Sequence, residues 1–165
     1  MINVILEGLV MSFWLLIVCV VGTANGPVGM VFFYEKDVQE RVVELGLMTE
    51  EKIKKRAALS GAALWLPVLA AVPAMVYGIN GARGFFEGFW QISAVYLIMG
   101  TFDRFFIDWY WVSRTKAWLI PGTEDLKPYI PKKTLAVKFI GTYIGFPLIA
   151  AAAAGVAVLL ERLIK

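Results

Sequence analysis

The residues best suited to chemistry in this chain are Asp103, Arg104 and Asp108. They interrupt a stretch, Gly100 to Trp111, that is otherwise made of Gly, Thr, Phe, Ile, Trp and Tyr. Arg104 and Asp108 are four apart, so on a helix they share a face and can pair. Asp103 sits on the neighbouring flank. A charge at the centre of a bilayer costs ~2.5–3.5 kcal/mol on insertion scales, so such a trio demands partners, water or a shallow position. Two readings are open: a polar pocket that holds a ligand or ion, and a structural clamp that ties helices together. Asp103 and Asp108 are five apart, about 140° around an α-helix. They do not converge on a cation unaided, and neither a metal nor a cofactor is expected.

The next residues with chemical potential lie in the loop that follows. Trp111, Arg114, Lys116, Glu124 and Asp125 complete the candidate ligand-binding set with the trio. Pro121-Gly122 favours a tight turn. Thr123 can cap a short helical turn containing Glu124 and Asp125. If the loop folds back, it lids the pocket below the trio; the plain alternative is a solvated loop. Absences narrow the rest. With no histidine, His-based acid–base work, His-bearing zinc sites and Ser-His-Asp triads are excluded. The single cysteine, Cys19, cannot form an internal disulfide and reads as a small apolar packing residue.

The elements that must position these groups are membrane helices. Of 165 residues 59% are hydrophobic and only 18% charged, against about 25% charged in ordinary soluble domains. A soluble chain of this length cannot hide that much apolar surface. Uncharged runs cover 8–34, 57–82 and 139–160, each longer than the ~20 residues a crossing helix needs. The run 88–102 is too short and must continue through Asp103, Arg104 and Asp108 to cross. The expected architecture is therefore all-α: one domain, 1–165, with four transmembrane helices near 4–33, 57–79, 86–112 and 135–160. Two loops, about 35–56 and 113–134, connect them.

Local signals refine these boundaries. The first segment lacks the basic start of a cleaved signal peptide and is too long for one. Asn25-Gly26-Pro27 should kink or end its helix. Val38, Val42 and Leu45 among charges predict a short amphipathic interfacial helix, stopped at Gly46. Thr49, before Glu50 and Glu51, reads as the next N-cap. Pro67 and Pro73 are candidate kinks, and 78–84 is a Gly-rich turn. The two loop regions, counted through Lys138, hold twelve Lys and Arg against three on the opposite side. That asymmetry predicts a cytoplasmic-membrane protein with both loops in the cytoplasm and both termini outside. The six tryptophans are expected near helix ends, as an aromatic belt. Gly141 and Gly145 form a small-xxx-small spacing that suits either packing inside the bundle or a homodimer.

The stretches Phe33-Tyr-Glu-Lys-Asp-Val-Gln-Glu-Arg-Val-Val-Glu-Leu-Gly and Phe102-Asp-Arg-Phe-Phe-Ile-Asp-Trp-Tyr-Trp, with Ile120-Pro-Gly-Thr-Glu-Asp, resemble a group of small bacterial four-helix membrane proteins with no assigned activity. The resemblance implies a fold and a location but no reaction and no site residues. From the residues themselves, the expected function is binding or helping to move a small polar or amphiphilic solute, lipid included, through a cytoplasm-facing charged pocket. An accessory subunit of a larger membrane complex is the alternative. A headgroup-modifying enzyme, with Asp103 or Asp108 as base and Arg104 or Lys116 on phosphate, is a second. Membrane lipids and a second copy or larger membrane partner are the expected partners, and nucleic acid is not.

Overall fold

The computed structural model describes residues 1–164 and is all-α. Helix α1 spans Ile2–Thr23 and is followed by a 3-10 segment, Pro27–Phe33. Helix α2 is Lys36–Glu44. Helix α3, Glu50–Ala74, widens into a π turn at Met75–Ile79. Helix α4, Gly84–Phe102, continues as a ten-residue π segment, Asp103–Val112. Helices α5, Lys132–Ile140, and α6, Phe146–Ile164, are joined through a π turn, Gly141–Gly145.

The first crossing is shorter than the expected 4–33. Gly26 has φ 96°, a conformation other residues rarely adopt, and Pro27 starts the 3-10 turn. The chain after Thr23 folds back instead of finishing the span, so Met30 and Val31 are fully buried. Gly29 approaches the carbonyl of Gly22, with the Met30 side chain against Gly22. At two further boundaries the local signals match the elements. Gly46, at φ 67°, follows α2, and the Thr49 hydroxyl accepts from the Lys52 amide. Helix α2 lays Val38 and Val42, both fully buried, inward. Helix α3 runs unbroken through Pro67 and Pro73, with its π turn just beyond the second.

Three helical stretches are long and apolar enough to cross a membrane: Ile2–Thr23, Glu50–Ile79 and Lys132–Leu163. Helix α4 falls outside that set yet is the centre of the packing, with α1 and α6 as its main neighbours. Its buried residues include Gly88, Gln91, Ser93, Tyr96 and Gly100. At Gly100 an added Cβ would run into Thr142 and Phe146, so α4 and the α5–α6 rod touch closely there. Gly141 and Gly145, by contrast, face open space and mediate no packing within the chain. Large apolar residues such as Leu9, Phe13, Leu66, Leu148 and Leu159 point outward. That inverts the soluble pattern and suits an acyl-chain solvent.

Candidate functional site

The charged trio sits at the start of the π segment, and the geometry of that segment decides what it does. A π turn takes i→i+5 hydrogen bonds. Residues five apart then lie closer to one face than on an α-helix, and the wide separation expected of Asp103 and Asp108 narrows. Both carboxylates reach the same guanidinium: Arg104 donates from Nη2 to Asp103 and from Nη1 to Asp108. The Ser113 hydroxyl donates to the Asp108 carbonyl at 2.6 Å, an oxygen that also accepts the Ser113 backbone amide.

A fourth charge completes the cluster. Lys138 of α5 donates to Asp108 at 2.8 Å, across 30 residues of chain. Its only sequence signal is its place inside the expected span 135–160, where it counted among the loop lysines. The cluster thus holds two carboxylates and two cations. Arg104 and Asp108 are buried, at 8% and 4% exposure. Leu15 of α1 and Leu64 of α3 line the same space. Leu64 lies eight residues beyond Arg56, the last charge of its helix, or roughly 12 Å along it at 1.5 Å per residue.

Beside the cluster is a cavity of about 210 Å³. Its charged lining is Asp103, Arg104, Asp108 and Lys138. The walls are Leu15, Cys19, Leu64, Trp65, Ile107 and Val112. Phe33, Tyr34, Trp118, Tyr129 and Ile130 cover it. The loop after α4 does fold back over the site, and aromatic residues rather than its charges do the covering. Tyr34 donates to the Trp118 carbonyl at 2.6 Å and meets Tyr129 edge-on at 5.0 Å. Burial, and then neighbouring Tyr129, push the Tyr34 hydroxyl far above the ordinary phenol range, so it stays a donor. Thr123 occupies the N-cap position of a 3-10 turn, Glu124–Leu126, but does not cap it. Its hydroxyl turns inward to the Ile120 carbonyl and the Tyr129 hydroxyl, both at 2.8 Å.

The remaining expected site residues lie outside the cavity. Trp111 packs edge-on behind Trp118 at 5.3 Å. Arg114 stacks over Trp109 at 4.1 Å. Lys116 is exposed, and Glu124 accepts from the Gly122 amide. Asp125 accepts both guanidinium ends of Arg41 at 3.2 and 3.3 Å, and Arg41 also donates to the Gly122 carbonyl at 3.1 Å. With the Thr134–Glu35 bond at 2.5 Å, this pair fastens the lid to the α2 side. Nor do all tryptophans belong to a belt, since Trp65 and Trp118 line the cavity and Trp14 donates to the Ala63 carbonyl in mid-helix. Sequence reasoning missed Lys138, Tyr34, Trp65, Trp118 and Tyr129 as site residues.

Two buried donors at the cavity have no partner among the described residues: Arg104 Nε and Trp118 Nε1. Among the described residues no His, Cys, Asp and Glu cluster suits a metal ion. A separate polar contact lies at the far end of α1, where Asn80 donates to buried Glu7 at 3.1 Å. Comparison with family models, with curated proteins and with solved structures finds no match to this chain. The chemistry must be argued from its own side chains.

Proposed function

We propose that this is a polytopic membrane protein that binds, or helps to move, a small polar or amphiphilic solute in the cavity beside Arg104. In this reading α1, α3, α4 with its π extension, and α5–α6 form a four-helix transmembrane bundle. The basic connections lie in the cytoplasm and both termini lie outside, following the distribution of Lys and Arg. The resemblance to small bacterial membrane proteins belongs to the same reading. The observation that carries it is a buried charged cluster, with two unpartnered donors, lining an otherwise apolar cavity. Intramembrane ionisable groups that face a cavity mark binding sites and pathways. Buried donors without partners are rare enough to ask for a ligand or ordered water.

The accessory-subunit reading draws on a different observation, the internal balance of the two acids and two bases. A clamp needs that balance and no more, so it leaves the cavity and the free donors without a role. The two readings separate in a thermal-shift measurement on nanodisc-embedded protein with neutral, zwitterionic, anionic and cationic single-chain amphiphiles. A ligand at 100 times its Kd stabilises by about 2.7 kcal/mol, which moves the melting temperature by several degrees. At least one class should do so saturably. If none does, and no amphiphile co-purifies, the site is only a clamp.

A further inference from the structure

The same site, taken as a binding site, discriminates by charge and by shape. We propose that its ligand is an uncharged single-chain amphiphile whose head presents carbonyl or ester oxygens to Arg104 and Trp118, with its tail lying in a second groove past Gly141.

Charge narrows the ligand class. Asp103 and Asp108 are already matched by Arg104 and Lys138, so the cluster carries no net formal charge to offer an ion. A carboxylate or phosphate ligand would have to compete with two resident carboxylates for one guanidinium. An ammonium would compete with Lys138 for Asp108. What is open instead is donor capacity. Arg104 and Trp118, 8% and 2% exposed, both line the first cavity, and Arg104 Nε and Trp118 Nε1 have no acceptor among the described residues. Both atoms are donors only. A neutral oxygen acceptor satisfies them without breaking an ion pair.

Shape narrows it separately. A second cavity, of about 230 Å³, shares Leu15, Leu64, Trp65, Asp103, Arg104 and Lys138 with the first. It extends beyond them along Met99, Gly100, Gly141, Thr142 and Phe146. The charged cluster therefore stands between a lid-covered space and an apolar groove between α3 and the α5–α6 rod. Gly141 lines this groove, and a Cβ built on it meets nothing within 4 Å. The walls accept a chain, and the junction accepts its head.

The test uses full-length protein in nanodiscs at pH 8, titrated with 1-decanoyl glycerol, decanoate, decyltrimethylammonium and decane. Melting temperature is the readout. Decanoyl glycerol should bind saturably, with both ions at least tenfold weaker and decane without effect. Trp118→Phe keeps the aromatic cover but removes the donor. It should weaken decanoyl glycerol about fivefold to tenfold, the size of one hydrogen bond. Gly141→Leu should fold normally, since the added side chain enters open space. It should weaken decanoyl glycerol while leaving 1-butanoyl glycerol unchanged. An ion binding as tightly as the ester overturns the neutral-head assignment, and an unaltered chain-length preference in Gly141→Leu overturns the tail placement. Either result leaves the broader amphiphile site standing. Silence from all four probes and from the zwitterionic class removes that as well.

Discussion

Arg104 holds the site together at the residue scale, because both carboxylates reach it. Removing one member of a buried ion pair strands its partner, at a cost of about 3–5 kcal/mol. Arg104→Gln should approach that loss, with Asp103 left unpaired and Asp108 left to Lys138 alone. Asp108→Asn should cost less, because Asp103 still pairs with Arg104, although Lys138 is released. Asp103, at 23% side-chain exposure, should be the mildest site of the three. In the double variant Arg104→Gln/Asp108→Asn, part of the loss should return as a coupling of about 1–3 kcal/mol. Equilibrium unfolding in mixed micelles measures all four. Wild-type midpoints throughout would mean that water already solvates the cluster. The trio was legible in the sequence because charges at i and i+4 in an apolar run announce themselves. Lys138 was not, because a lysine near a basic loop is already explained by orientation. Nor was the convergence of Asp103 and Asp108, since a spacing of five reads as divergent until the backbone widens to π.

The lid depends on whole elements: the 3-10 segment and α2 on one side, the loop after α4 on the other. Its fastenings differ in strength. The Arg41–Asp125 pair is mostly exposed, with Asp125 at 63%, and exposed ion pairs contribute at most about 1 kcal/mol. The Tyr34–Trp118 bond is buried at the cover itself. Cys19, the single thiol, lines the space beneath and reports on opening. Tyr34→Phe should raise the rate at which N-ethylmaleimide modifies Cys19 about fivefold, corresponding to ~1 kcal/mol. Arg41→Ala should raise it less. Identical rates in both variants and the parent would show that something other than this cover shields the thiol. Helix boundaries at this scale were legible wherever one residue sets the backbone, as Gly46 and Thr49 do. The inward fold of Pro27–Phe33 was not, because seven residues of 3-10 turn carry no periodic pattern, and Met30 and Val31 look the same facing protein or lipid.

For the whole molecule, the question is whether α4 crosses the bilayer although it is less apolar than its neighbours. Its polar and small residues Gln91, Ser93 and Gly100 are buried against the neighbouring helices, so in the proposed bundle they lie away from the acyl chains. The three more apolar helices form the outside, where the apolar window of Lys132–Leu163 is only 11% buried in protein. Composition alone ranks helices by contact with lipid, which is why it identified the outer three readily and the central one only by extension through its charges. If α4 spans, the turn between α3 and α4 and the loop after α4 face opposite sides. Single cysteines on a Cys19→Ala background test this at Ile79, 72% exposed at the end of the π turn after α3, and at Lys127 in the loop. A membrane-impermeant maleimide applied to intact cells should label Ile79→Cys, and should label Lys127→Cys only after permeabilisation. Labelling of both positions from one side would leave α4 outside the bilayer. The Asp103–Arg104–Asp108 cluster would then be a surface feature, and its cavity would have no claim on a membrane ligand.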